Sequence, residues 1–153
     1  EWDRRCLERF ARGVPLKAGA AELLGRLEAA GMPVALATSS RRGPAEDKVR
    51  MAGLSRHFRT LVTFDDVAAP KPAPDPYLLA VERLGVAPAR AVAFEDSETG
   101  ARSAHAAGLT VVQVPDLHPT QGAHAHHVAA TLLEGAAMAG LLVFIWRTRR
   151  EAD

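Results

Sequence analysis

The sequence predicts an α/β fold in which a parallel sheet carries helices on both faces. Two observations predict it. Short apolar runs alternate with amphipathic helical patterns, each closed by a glycine, and strands separated in this way pair in parallel through right-handed crossovers. The apolar runs also lack polar alternation, as expected of strands covered on both sides.

The elements follow in order. Leu23, Leu24 and Leu27 recur at helical spacing within residues 18–30, and Gly31 supplies the stop. The run Pro33 to Thr38 is continuously apolar and reads as a strand buried on both faces. A second amphipathic helix spans residues 43–52 before Gly53, and residues 60–64 form the next strand. A helix over 75–84 ends at Gly85, residues 90–94 form a third strand, a helix over 98–107 ends at Gly108, and 110–114 form a fourth strand. Polar residues collect where these strands stop: Thr38-Ser39-Ser40, Asp65-Asp66, Glu95-Asp96-Ser97 and Pro115-Asp116. Ligands of open parallel sheets gather at that edge. Residues 116–127 read as a flexible loop.

A chain of 153 residues suits one domain with a true core. A net charge of +1, with both signs interspersed, leaves no basic footprint for nucleic acid. Cys6 is the only cysteine, which excludes an intrachain disulfide and a cysteine-rich metal site and fits a reducing cytoplasm. No signal peptide opens the chain. It begins at Glu1 inside an amphipathic pattern (Trp2, Cys6, Leu7, Phe10), so a product extending upstream is expected. The apolar stretch from Met138 to Trp146 is far shorter than the roughly 20 residues that span a bilayer. It reads as a terminal helix packed on the domain, with Arg147, Arg149 and Arg150 favouring its C-terminal end, so no membrane partner is expected.

The residues at the strand ends suit phosphoryl chemistry, in which spreading negative charge is met by fixed donors and cations. Thr38 offers a hydroxyl, and the amides of Ser39 and Ser40 approach a helix start where an oxyanion can sit; helix capping is the competing role for all three. Lys71 is the candidate cation, presented by a loop that Pro70, Pro72, Pro74 and Pro76 stiffen. Glu95 and Asp96 end an apolar strand, where an unpaired buried carboxylate is costly and a Mg²⁺ ion would offset the cost. Asp96 is the candidate metal ligand, with Glu95 acting directly or through water; Asp96 or Ser97 capping the next helix is the alternative. Asp65 and Asp66 suit a loop role or the orientation of Lys71, and His124, His126 and His127 read as exposed loop or helix-start histidines. No Asp-x-Asp pair follows an apolar strand anywhere in the chain.

Together these segments resemble the haloacid dehalogenase-like hydrolases, in particular their β-phosphoglucomutase-like phosphatase branch. The resemblance rests on Val34-Ala-Leu-Ala-Thr-Ser-Ser-Arg-Arg42, Phe64-Asp-Asp-Val67, Lys71-Pro-Ala-Pro-Asp75, Phe94-Glu-Asp-Ser-Glu-Thr-Gly100, Ala104-His-Ala-Ala-Gly108 and Val114-Pro-Asp-Leu117, and runs from about residue 13 to 135. It implies a Rossmann-like core in which an aspartate attacks phosphorus and a second, two residues on, serves as acid and base. By position Thr38 resembles the family's second-motif hydroxyl, Lys71 its third-motif lysine, and Glu95 and Asp96 its fourth-motif acidic pair at Mg²⁺. The family's Asp-x-Asp strand comes first in sequence and lies centrally in the sheet, so the resemblance implies a core that lacks this strand. Residues 1–13 then resemble the end of a helical cap and its return, residues 14–137 a partial core, and residues 138–153 a C-terminal helix or tail. The implied activity is Mg²⁺-dependent phosphatase or phosphomutase-like chemistry on a small phosphorylated metabolite, with this chain inactive alone. The alternative is a non-catalytic remnant that binds phosphate or a partner.

Overall fold

The computed structural model describes residues 13–116 and 119–141. The expected end of a cap before residue 13 and most of the terminal tail therefore lie outside the described residues. Helix α1 spans Ala20–Ala29, strand β1 Ala35–Ala37, helix α2 Arg42–Met51 and strand β2 Thr60–Val62. Helix α3 (Asp75–Leu84), strand β3 (Val92–Glu95), helix α4 (Glu98–Ala106) and strand β4 (Thr110–Gln113) follow; strand β5 (His127–Val128) and helix α5 (Leu132–Met138) complete the order. Gly31, Gly53, Gly85 and Gly108 all have positive φ just past a helix, the backbone state that ends a helix without a Cβ penalty.

All strand pairs are parallel, but they form two sheets among the described residues: β1 with β2, and β3–β4–β5. The Thr38 amide donates to Val62 O at 2.9 Å and the Arg59 amide to Val34 O at 2.8 Å, so residues 34, 36 and 38 turn toward β2. Ala35 and Ala37 then face the other way, since alternate residues of a parallel strand serve opposite neighbours. On β3, the Thr110 amide donates to Ala91 O at 3.0 Å and the Val114 amide to Glu95 O at 2.7 Å, so Val92 and Phe94 point away from β4. Neither of these outward edges has a strand partner among the described residues.

Side chains, not ladder bonds, join the two sheets. Tyr77 and Val81 of α3 pack in one cluster with Ala93 of β3, Ala101 and Ala104 of α4, and Ala37 of β1. On the opposite face Leu23 and Leu27 of α1 cluster with Ala136 of α5, Val34 beside β1, and Phe94 of β3. Helices thus cover both faces, as the sequence predicts.

Two expectations need correction. Pro33 to Thr38 reads as a fully buried strand, yet β1 is only half-buried along its length, whereas Val111, Val112 and Gln113 of β4 are fully buried. The faces of β1 are covered as expected; its open edge admits solvent. The expected loop 116–127 ends in a short strand, and a helix that the sequence reading does not include forms at Leu132–Met138. Thr131 begins that helix, its hydroxyl accepting from the Glu134 amide at 3.1 Å, while Glu134 accepts from the Ala130 amide at 2.9 Å. Gly140, at φ +76°, follows its end. The stretch beyond residue 141 lies outside the described residues.

Candidate phosphate site at the sheet edge

Between the carboxyl ends of β1 and β3 lies a cavity of ≈ 540 Å³, lined by Ala37, Thr38 and Ser39 on one side, Glu95 and Asp96 on the other, and by Lys71. The loop before α3 delivers Lys71. Its Lys71–Pro72 peptide bond is cis, the Ala73 amide donates to Pro70 O at 3.0 Å, and Ser103 of α4 donates to Ala73 O at 2.5 Å. The Lys71 ammonium donates to Ala37 O at 3.1 Å, to the Tyr77 hydroxyl at 3.3 Å and to the Glu95 carboxylate. It also lies 4.8 Å from the centre of the Tyr77 ring.

Glu95 therefore has a counter-charge within the chain besides any ion: the side chains of Lys71 and Glu95 are 9% and 8% exposed and form an ion pair. Tyr77 donates its hydroxyl to the same carboxylate. Burial, then the adjacent Glu95 charge and hydrogen bond, raise the Tyr77 phenol far above its ordinary range, which keeps the proton available for donation. Gly100 makes room for this arrangement, because a Cβ there would overlap the Glu95 carboxylate.

Asp96 is exposed at the cavity wall. It does not cap α4: Ser97 does, its hydroxyl accepting from the Gly100 amide at 3.2 Å. Capping is thus excluded as the reason for Asp96. Thr38 turns its hydroxyl to the Ser40 amide at 3.1 Å, so that amide is engaged, while Ser39 is exposed at the cavity. Lys17 also lines the cavity, donating to Pro115 O at 3.1 Å and pairing with Asp116 at 3.5 Å.

Asp65 and Asp66 take the loop role and do not touch Lys71. Asp65 accepts from the Arg41 guanidinium at 2.8 Å and the Arg42 amide at 2.9 Å. Asp66 accepts from Arg42 at 2.6 Å, from the Thr63 amide at 2.7 Å and the Thr63 hydroxyl at 2.6 Å, and from Arg83 at 3.3 Å. Burial pushes its acidity the other way, but the Thr63 and Arg42 hydrogen bonds prevail and hold the carboxyl well below the ordinary range. His124 and His126 form a ring cluster with His105, and the His126 Nδ1 accepts from the Val111 amide at 3.0 Å. His126 thereby satisfies a buried strand amide, and His127 lies in β5.

The structure thus gathers Thr38, Ser39, Lys71, Glu95 and Asp96 around one cavity. Sequence reasoning missed Tyr77, Gly100 and Lys17. A signal existed for the first: Tyr77 is the chain's only tyrosine and follows the proline-stiffened loop on the first turn of α3. Among the described residues no three His, Cys, Asp or Glu side chains converge to hold a metal ion. Among the carboxylates that line the cavity, Glu95 pairs with Lys71 and Asp116 with Lys17, which leaves Asp96 to suit an ion such as Mg²⁺ that takes one or two carboxylates and completes its shell with water and phosphate. Among the described residues no helix is long and apolar enough to cross a membrane.

A parallel α/β core with a buried lysine–glutamate pair and an exposed aspartate at its carboxyl edge defines the class as an open-sheet protein with a polar cavity at that edge. Residues 2–108 match the haloacid dehalogenase-like hydrolases, and the chain belongs to that family. It is 44% identical over 117 residues to Protein CbbY of Rhodobacter capsulatus, a match covering 73% of this chain and 51% of that protein. It is 42% identical over 82 residues to the fructose-1-phosphate phosphatase YqaB of Escherichia coli K12, covering 54% of this chain and 44% of that one. The crystal structure of CbbY from Rhodobacter sphaeroides in complex with phosphate superposes with a TM-score of 0.76 at 35% identity, over 82% of this chain and 58% of that chain. The chain thus spans about half the length of these relatives.

Proposed function

We propose that this chain carries the lysine and acidic part of a phosphate-monoester hydrolase site acting on a small phosphorylated metabolite, of the sugar-phosphate kind that the relative's name, fructose-1-phosphate phosphatase, records. The observation that carries this reading is the meeting of the Lys71 ammonium, the Thr38 hydroxyl and the free Asp96 carboxylate in one cavity at the end of β1 and β3. Lys71 supplies positive charge where the phosphoryl oxygens would lie, and Thr38 and the exposed Ser39 supply donors to the same group. Asp96 would hold Mg²⁺, which when bound neutralises phosphate charge and fixes its orientation. Glu95 acts on Lys71, and its link to the ion is indirect. The attacking aspartate is not among these residues, since no Asp-x-Asp pair occurs in the sequence. A cytoplasmic site of action suits the single cysteine and this substrate class.

The test is hydrolysis of p-nitrophenyl phosphate by the purified chain with Mg²⁺, run beside inorganic phosphate binding and the Asp96→Ala variant. The expected outcome is a folded protein that binds phosphate in a Mg²⁺-dependent way, loses that dependence in Asp96→Ala, and shows no turnover. Phosphate binding that is absent, or indifferent to Asp96, would overturn the reading. Turnover abolished by Asp96→Ala would mean that an aspartate already present attacks phosphorus.

A further inference from the structure

We propose that Tyr77 is the positioning residue of this site: by donating its hydroxyl to Glu95 it fixes the carboxylate that holds the Lys71 ammonium at the cavity wall. Its link to phosphate chemistry rests on the reading above; the positioning itself does not. The hydrogen-bond accounting carries it. An ammonium has three N–H groups, and those of Lys71 have three acceptors: Ala37 O, the Tyr77 hydroxyl and Glu95. The Tyr77 hydroxyl has one proton, which goes to Glu95, and a lone pair, which receives Lys71. The same Glu95 oxygen accepts from both, while the carboxylate rests over Gly100. Each of the three side chains is therefore held by the other two, and all are nearly buried.

Tyr77 suits this work because of where it stands. Pro76 sits in the first turn of α3, and Tyr77 packs its ring among Val81, Ala93 and Ala101, so the ring is placed by the core and the hydroxyl is aimed by the ring. Phenylalanine would fill the same space and keep its face toward the ammonium. It would lack the one proton that ties down Glu95. Lys71 and Glu95 would still attract each other, but with more rotamer freedom and one donor of Lys71 unmet. Positioning and packing can thus be separated by a single oxygen atom.

The measurement follows proton exchange at the Lys71 ammonium by NMR in the isotope-labelled chain, which has only three lysines, with Lys71→Arg giving the assignment. In the native chain the buried, fully bonded ammonium should exchange slowly. In Tyr77→Phe, which removes both the bond from Lys71 and the bond to Glu95, the exchange should quicken at least roughly tenfold, the factor expected for one charge-assisted hydrogen bond, while the thermal midpoint falls by only a few degrees and the chain stays folded. Gly100→Ala, which displaces Glu95 from the other side, should give the same loss of protection and guards against a Tyr77→Phe chain that fails to fold. Unchanged exchange in a folded Tyr77→Phe variant overturns the proposal, as does protection that Gly100→Ala leaves intact. Titration with inorganic phosphate separates the two readings. A protected Lys71 signal that phosphate does not move sinks the phosphate-site reading and leaves the positioning role standing.

Discussion

At the residue scale the loop after β2 repays attention to its charges. Asp66 is 12% exposed and accepts from Thr63, Arg42 and Arg83, so it ties the turn at Phe64–Asp66 to the start of α2 and to α3. Those partners hold its carboxyl below the ordinary value of 3.8, and the sign of the linkage follows. A carboxyl that is more acidic when folded adds stability above its unfolded value. The contribution is lost as pH falls from about 4 through the folded value. Asp66→Asn should therefore cost about 1–3 kcal/mol near neutrality, the usual effect of weakening a charged hydrogen-bond cluster. The penalty should shrink as pH falls below about 4, where the unfolded chain binds a proton at Asp66 that the folded chain does not. Urea melts of both chains across pH 2–7 check this, and a penalty independent of pH would remove Asp66 from the acid transition. Adjacent, and without Asp-x-Asp spacing, Asp65 and Asp66 read in the sequence as loop residues or as orienting Lys71. Their guanidinium partners were not legible, because Arg41 reaches Asp65, and Arg42 and Arg83 reach Asp66, only once α2 and α3 have docked.

At the element scale most of the fold was readable, and the reason is local. Glycines stop four helices in sequence-visible places, and α3 runs from Asp75 to Leu84 as its pattern predicts. The parts that escaped are those whose signal is not local. β5 is two residues long, too short to show a period, and exists because His127 and Val128 find Val112 and Gln113 of β4. Helix α5 carries Gly135 in its middle, which argues against a helix, yet a Cβ there would press on Val112, so its smallness lets the helix approach β4. The α1 face shows what such docking is worth. Leu23 and Leu27 are 5% and 8% exposed, and they meet Val34 and Phe94 from the two separate sheets. Leu27→Ala should destabilise the chain by about 2–5 kcal/mol, more than its single helix would suggest, because it loosens a contact that spans both sheets. Chemical denaturation measures this; a cost under ~1 kcal/mol would mean that the sheets are held by α3 alone.

At the scale of the whole molecule the two sheets pose one question. Ala35 and Ala37 of β1 and Val92 and Phe94 of β3 turn their backbone groups away from their own partners, and the cavity between the two strand ends is walled by both. Open edges of this kind invite another strand, whether a copy of the chain or a matching segment. The family resemblance points to one such segment, the Asp-x-Asp strand that it places centrally in the sheet. A parallel strand there would pair both edges at once, each backbone hydrogen bond adding about 0.5–1.5 kcal/mol net. Its carboxylates would arrive at the strand end, beside Lys71 and Asp96. Co-expressing the chain with an Asp-x-Asp strand segment from a relative should thus raise its thermal midpoint, reduce self-association and bring Mg²⁺-dependent hydrolysis of p-nitrophenyl phosphate. The same segment with Asn-x-Asn should give the first two effects without the third. If the segment binds and neither stability nor association changes, the open edges are not where it sits. If the Asn-x-Asn segment restores hydrolysis as well, attack on phosphorus comes from a residue already in this chain.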